Sequence, residues 1–290
     1  MDRLFKVWPQ YILPHHLLSR GMHFLTRLHG GALSHAAIRF IVKRFRVDLE
    51  EAERSNVRDF VSFNDFFTRS LKPGARPIDK APEAVISPVD GTVSQVGQIR
   101  EGRIFQAKGH DYSAAELLGD KALAEDFDDG EFATIYLSPR DYHRIHMPCD
   151  GSLLRMIHVP GRLFSVNPLT TRTVPGLFAR NERVVTIFDT PFGRVAQVMV
   201  GAIFVSSIET VWAGEVTPPA GQYIRSWNYG PREAAGEVHL KKGDEMGRFN
   251  MGSTVILLFE PRAVKLAESF FEAQAVKLGQ RIATRGSTRS

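Results

Sequence analysis

The sequence predicts an α+β protein: a mainly antiparallel β core with a duplicated hairpin-like motif, preceded by short amphipathic N-terminal helices. Three observations carry this. Apolar residues up to about Arg46 recur at helical spacing. From about Ala84 onward they fall in short runs rich in Val, Ile and Phe, separated by turn residues, in a chain with 24 Gly and 16 Pro. Finally, Ser87-Pro88-Val89-Asp90-Gly91-Thr92-Val93 is matched by Met147-Pro148-Cys149-Asp150-Gly151-Ser152-Leu153, each reading Pro-x-Asp-Gly, a hydroxyl residue and an apolar one. Independent Asp-Gly turns between strands give the same pattern.

In chain order, Leu17, Leu18, Met22, Phe24, Leu25 and Leu28 share one helical face, with Ser19, Arg20, His23, Thr26 and Arg27 opposite. After the Gly30-Gly31 break, Ile38, Ile41, Val42 and Phe45 repeat the spacing, with Arg39, Lys43, Arg44 and Arg46 largely on the other side. Two basic amphipathic helices fit a bundle packed on the main domain or a membrane-surface hairpin equally well. A short helix is expected at 64–69. The Pro- and Gly-bearing segment 71–77 reads as an extended linker. Strands are expected at 84–87, 92–96, 132–137, 183–188, 196–200, 203–211 and 254–259, then a terminal helix at 262–281 with Pro261 at its first turn. The division is an amphipathic helical region, 1–70, and a β-rich catalytic domain, 71–290.

Thirty-seven Lys plus Arg against 32 Asp plus Glu give a net charge of +5. That excess favours an anionic partner, nucleic acid or an acidic membrane surface. One cysteine, Cys149, leaves no internal disulfide and no thiolate zinc cluster. No stretch reaches the roughly 18 apolar residues of a spanning helix, and no signal-peptide pattern opens the chain.

Chemistry concentrates at Gly252-Ser253-Thr254, between 241–249, which reads as a Gly-rich, charged turn, and the apolar run 255–259. Gly252 has no side chain, so the Ser253 hydroxyl is free to turn onto the Gly252 carbonyl. Such an attack needs a base and a group that orients the base. The base candidates are His143 and His146, which share a face if their segment is helical and a cavity if it is a loop. Asp90 and Asp150 are both available as the orienting acid, and spacing does not choose between them. His-x-x-His is half a metal site, but no third ligand has convincing spacing, so no metal is expected.

These residues carry a resemblance. Ser87–Gly91, the stretch from Tyr136 through His143 and His146 to Gly151, Phe164-Ser165-Val166-Asn167, Phe178–Arg183 and Gly252-Ser253-Thr254 resemble phosphatidylserine decarboxylases, and the bacterial, membrane-peripheral branch matches best. The usual Leu-Gly-Ser-Thr of that family stands here as Met251-Gly252-Ser253-Thr254, a substitution that nearly conserves volume. The resemblance runs from about Phe63 to Phe259, and the N-terminal helices look like the family's membrane-attachment segment.

The resemblance implies that Asp90, His146 and Ser253 form a self-processing triad and that His143 serves the decarboxylation as proton donor. It implies cleavage between Gly252 and Ser253 into a β chain, 1–252, and an α chain, 253–290. Ser253 would become a covalent pyruvoyl group (the pyruvate cofactor) that forms a Schiff base with phosphatidylserine and releases CO2 and phosphatidylethanolamine. Ser165 and Asn167 are candidates for the substrate head group. The implied partners are phosphatidylserine in an anionic membrane and the enzyme's own α and β chains as a heterodimer. A higher oligomer is compatible, nucleic acid is not expected, and the expected location is peripheral, on the cytoplasmic face of the cell membrane. The competing readings are a pyruvoyl enzyme for a soluble amino acid, a Ser-His-Asp hydrolase with an intact chain, which lacks a Gly-x-Ser-x-Gly elbow, and a lipid-binding module without catalysis.

Overall fold

A computed structural model describes residues 7–107, 109–203, 207–217, 221, 223–250 and 253–286, apart from the side chain of Ser253. Among the described residues, nine antiparallel strands form the main sheet. Eight of them run in the order Arg225–Asn228, Gly151–Val159, Arg183–Thr190, Gly193–Val200, Ser253–Phe259, Glu131–Leu137, Gly91–Gln98, Ala275–Val276. The ninth, His239–Leu240, also pairs with Gly151–Val159. Strand Ser253–Phe259 is interior, and Val255 through Phe259 are fully buried. Its unbroken apolar run reflects cover on both faces, where one solvated face would give alternation. A smaller sheet orders Gly214–Thr217, Ile208–Thr210, Glu245–Phe249 and Arg144–His146, and another orders Ala84–Ile86, Arg281–Arg285 and Val264–Leu266.

The duplicated motif is real in space and larger than its sequence trace. Each Pro-x-Asp-Gly turn joins a short strand to a long one, Ala84–Ile86 to Gly91–Gln98 and Arg144–His146 to Gly151–Val159. The two halves bond reciprocally, His146 N–H to the Pro88 carbonyl at 2.9 Å and Ile86 N–H to the Pro148 carbonyl at 3.0 Å. Each turn also grips a Lys-x-Gly loop. Asp90 accepts from the Leu278 N–H at 2.9 Å, and Asp150 accepts from the Lys242 N–H at 2.7 Å. Gly243 and Gly279, at the bends of these loops, have φ of 86° and 88°, the left-handed region that favours glycine. A Cβ on either would meet Ile78, which lies between the loops.

Four expectations change. Residues 262–281 do not form a helix. Positive φ at Arg262, Ala273 and Gly279 interrupts any helical run, and the chain pairs as Val264–Leu266, Ala275–Val276 and Arg281–Arg285. Glu245–Phe249, read as part of a turn, is a strand between Ile208–Thr210 and Arg144–His146. Gly151–Val159, absent from the expected strands, is one of the longest. Within 203–211, residues 204–206 lie outside the described set, and Ile208–Thr210 is the strand.

The N-terminal helices run Pro9–Ile12, His15–Arg27 and Ala32–Phe45. The amphipathicity of His15–Arg27 is inverted relative to a packed helix. His15, Ser19 and Thr26 are the buried positions of His15–Arg27, while Leu17, Phe24 and Leu25 are 68%, 65% and 58% exposed. Polar contacts seat the helix on the β domain. His23 lies 2.7 Å from Glu215, and Arg27 donates to Ser207 and Glu215 at 3.0 and 2.9 Å. In the next helix Ile38 is buried under a small cluster with Phe60, Phe66 and Phe67, while Leu33 and Phe40 face outward. The expected short helix is Phe63–Phe67, capped by Ser62, whose hydroxyl accepts the Asp65 N–H.

Candidate active site

Ser253 opens the interior strand. It pairs with Leu137, and from Thr254 the strand is bonded on its other side as well, Thr254 opposite Val200. Gly252 and the Ser253 side chain lie outside the described residues. Four residues before Ser253, the Phe249 N–H donates to the His143 carbonyl at 3.1 Å, so the histidine segment is tied to the approach to Ser253. That segment is neither helix nor simple loop: His143 precedes, and His146 ends, the strand Arg144–His146.

The His143 ring is fully buried and stacks on Phe67 with centroids 4.2 Å apart. Its Nε2 lies 3.1 Å from the carbonyl oxygen of Ser138, the residue after Leu137. A carbonyl only accepts, so Nε2 carries the proton and Nδ1 presents a lone pair. Nδ1 is buried without a hydrogen-bond partner. Burial first, and the nearby Arg69 guanidinium second, push its pKa down to about 3. His143 is therefore neutral at rest, unlike a histidine that exchanges protons near neutral pH.

His146 is oriented by the Gly243 carbonyl, 2.7 Å from Nδ1. That fixes the proton on Nδ1 and leaves Nε2 to accept from the Tyr142 hydroxyl at 3.1 Å. Burial lowers its proton affinity; the Gly243 carbonyl and the Glu245 charge oppose this, and Asp90 does so more weakly. The expected hydrogen bond between Asp90 and His146 is absent. Asp90 is instead clasped by Arg76, with Nε 2.9 and 3.0 Å from its two oxygens and Nη2 at 2.6 Å. Arg76 also donates to Glu51 at 2.6 Å, and Lys277 closes the network on Glu51 at 2.9 Å. The Asp90 carboxylate and the Arg76 guanidinium are only 8% and 7% exposed, so the fork-shaped pairing stabilises both charges. Asp90 and Tyr142 border one cleft of about 220 Å³, with Arg76, Asp141 and Lys277.

A second cavity, of about 120 Å³, opens beside the start of the interior strand. It is lined by Thr92, Gln106, Tyr136, Val166, Thr171 and Glu272, among others. Tyr136 is the register partner of both Thr254 and Thr92. From the Phe164–Asn167 motif, Val166 borders this cavity, whereas Ser165 and Asn167 do not. The polar atoms of those two are engaged locally. Asn167 Nδ2 donates to the Ser165 hydroxyl at 2.8 Å, and Asn167 Oδ1 accepts the Thr170 N–H at 3.0 Å, capping a short helix. Phe164 is core.

Arg76, Tyr142 and Gly243 escaped the sequence reading. Arg76 sits in a Pro- and Gly-bearing segment with no periodic signal. Tyr142 borders the histidine pair and Gly243 bends a Lys-x-Gly loop, and only the second such loop, at Lys277-Leu278-Gly279, could have marked Gly243 as structural.

Comparison with known proteins bears on what this geometry serves. The family model described as Phosphatidylserine decarboxylase matches residues 63–284, and a second, described as PSD, matches residues 5–46. A phosphatidylserine decarboxylase proenzyme from Shewanella sp. (strain W3-18-1) is 55% identical over 285 residues, covering 98% of each chain. The proenzymes of Shewanella putrefaciens (strain CN-32 / ATCC BAA-453) and Shewanella baltica (strain OS155 / ATCC BAA-1091) are equally similar, covering 98% of this chain and 98% and 97% of theirs.

Proposed function

This chain belongs to the phosphatidylserine decarboxylase family, and from that premise we propose that it converts phosphatidylserine to phosphatidylethanolamine and CO2 with a pyruvoyl group made from its own Ser253. The observation that carries the site assignment is the convergence at Ser253. The strand Glu245–Phe249 delivers the approach, the His143 carbonyl is bonded to its end, and the His143 Nε2–H donates to the carbonyl of Ser138, the residue after Leu137, which is the cross-strand partner of Ser253.

The residues fit a pyruvoyl group at this position. Opening the chain before Ser253 severs no pair of the interior strand, and every pair from Thr254 onward holds the new terminus in place. Thr254 Oγ1 is buried there without a partner. When present, the group supplies a ketone beside an amide carbonyl, an electron sink for the pair left behind as the substrate carboxylate departs.

To make it, the Ser253 hydroxyl loses its proton and adds to the Gly252 carbonyl, moving the acyl group from nitrogen to oxygen. Loss of the Ser253 α-proton expels the Gly252 carboxylate, and water then releases the nitrogen as ammonia. His146 holds its proton on Nδ1 and receives one at Nε2, where Tyr142 now sits. Asp90 acts on it through space, its charge favouring the protonated ring. His143 Nδ1 is the open lone pair in the buried site; the anionic substrate beside the ring offsets the burial that keeps it neutral, so that a proton taken up from solvent there passes to the substrate carbon that CO2 has left. The α and β chains form a heterodimer.

The outward apolar face of the N-terminal helices supports membrane attachment, and among the described residues no helix is long and apolar enough to cross a membrane. We place the enzyme peripherally, on the cytoplasmic face. Intact-mass analysis should find two chains, the smaller blocked at its N-terminus, and Ser253→Ala should leave one. Purified enzyme should release CO2 from phosphatidylserine vesicles. Cleavage of Ser253→Ala, or release from free serine but not from lipid, overturns the assignment.

A further inference from the structure

The membrane-facing helices border a cavity of about 560 Å³, lined by Leu13, Pro14, His15, His16, Leu17, Gly161, Arg162 and Arg180. Its chemistry is two-sided. Leu13, Pro14 and Leu17 form an apolar rim, continuous with Trp8, Tyr11 and Ile12, which are 62%, 37% and 65% exposed. Behind the rim stand two guanidinium groups, Arg162 and Arg180, with no carboxylate of the described residues within ion-pairing distance. Arg162 spends one nitrogen on the Tyr11 carbonyl at 3.1 Å. Arg180 lies over the rings of Tyr11 and Phe164, 5.6 and 5.1 Å from their centroids. Arg76, Arg144, Arg155 and Arg194, by contrast, each face an acid.

The same cavity meets the start of the thirteen-residue helix His15–Arg27, where the Leu13 carbonyl takes the His15 N–H at 2.9 Å and the N–H groups of His16 and Leu17 have no intrahelical acceptor. His15 lines it too. The residue is 3% exposed, its Nδ1 accepts the Leu163 N–H at 3.3 Å, and its Nε2 is buried with no well-formed hydrogen bond, the Gln10 backbone lying near the ring. Two unneutralised arginines, a histidine nitrogen with no well-formed hydrogen bond and a helix start converge behind an apolar lip. A phosphate oxygen answers the first three, and an acyl chain answers the lip.

We propose that this cavity binds the phosphodiester of an anionic membrane phospholipid, as an anchoring site separate from the residues around Ser253. The proposal rests on the reading that the N-terminal helices lie on a membrane. Charge complementarity selects the lipid over an apolar protein partner, and the rim selects it over free phosphate. Bound lipid locks Tyr11 and the helix start against the Gly161–Arg162 segment, which leads directly to Phe164–Asn167.

The test is vesicle sedimentation of the purified enzyme, with phosphatidylcholine alone or with added phosphatidylglycerol. The wild type is expected to partition more strongly as phosphatidylglycerol is added. Arg162→Gln/Arg180→Gln should reduce that gain by about 30-fold while keeping binding to phosphatidylcholine alone. Arg39→Gln/Lys43→Gln removes the same charge elsewhere on the helices and should reduce it clearly less. An equal loss in the two variants assigns the effect to diffuse charge and overturns the site. Arg162→Lys/Arg180→Lys should retain most of the gain, and its complete loss would trace the effect to the arginine packing instead. Inorganic phosphate that abolishes the phosphatidylglycerol gain at millimolar concentration assigns the cavity to free phosphate, also against the proposal. Failure of the wild type to bind any vesicle refutes the membrane reading itself.

Discussion

Holding His143 neutral inside the protein makes the fold sensitive to acid, by an amount that can be worked out. In the unfolded chain its pKa is about 6.5, and in the fold burial pushes it down to about 3. Below pH 6.5 the unfolded state takes a proton that the folded state refuses. The stability linked to this ring is complete above pH 6.5 and declines as pH falls toward 3. The decline is about 1.4 kcal/mol per pH unit, so at pH 5 it reaches about 2 kcal/mol. Urea unfolding at pH 7.5 and pH 5 measures it, with Ser253→Ala as background so that one chain unfolds. His143→Gln keeps a donor for the Ser138 carbonyl and cannot titrate. The drop between the two pH values should be about 2 kcal/mol smaller in Ser253→Ala/His143→Gln than in Ser253→Ala. His15 and His146, also shifted down, contribute equally to both. Identical drops would refute the claim that this ring is buried neutral.

Three further outcomes are expected. Gly91→Ala would put a Cβ 2.5 Å from the Tyr136 carbonyl oxygen and 2.9 Å from the Ile135 side chain; it should destabilise by about 2–4 kcal/mol, read as a lowered melting temperature. Arg76→Met leaves Asp90 buried without its partner and should destabilise by about 3–5 kcal/mol, with Asp90→Asn in the same chain recovering part of the loss; full additivity would sink the pairing argument. Leu17→Ser/Phe24→Ser removes two outward apolar side chains and should weaken sedimentation with phosphatidylcholine vesicles by about tenfold or more without lowering the melting temperature. A lowered melting temperature would instead mark these residues as packed.

Much of this was readable in advance where the signal is local. The helices His15–Arg27 and Ala32–Phe45, the central strands and the two Asp-Gly turns follow from periodicity and turn chemistry. What failed depends on partners distant in sequence. Residues 262–281 extend because strand Ala84–Ile86 and its neighbours offer them a ladder, which no local window reveals. Periodicity also found the apolar face of His15–Arg27 but not its direction, since partners distant in sequence on the β domain, among them Glu215, Ser207 and the Gly161 carbonyl, draw the polar face inward. At the site, residue types pointed to Asp90, His143, His146 and Ser253. The hydrogen bonds that set protonation come from Gly243, Ser138 and Tyr142, and two of those are backbone carbonyls with no signature in sequence.

The interior position of Ser253–Phe259 imposes an order of events on the life of this protein. That strand must enter between Gly193–Val200 and Glu131–Leu137 while still tethered, because a short free fragment would have to find a closed slot and displace nothing. Once seated, it no longer needs the tether, since its neighbours grip it from both sides. Under the proposed cleavage before Ser253, maturation becomes a check on assembly: a chain that has failed to insert this strand would lack the surroundings proposed to activate that serine, and would stay in one piece. The two fragments of a mature molecule, separated by denaturant, are accordingly not expected to reassemble when the denaturant is withdrawn, whereas the uncut Ser253→Ala chain keeps that route open.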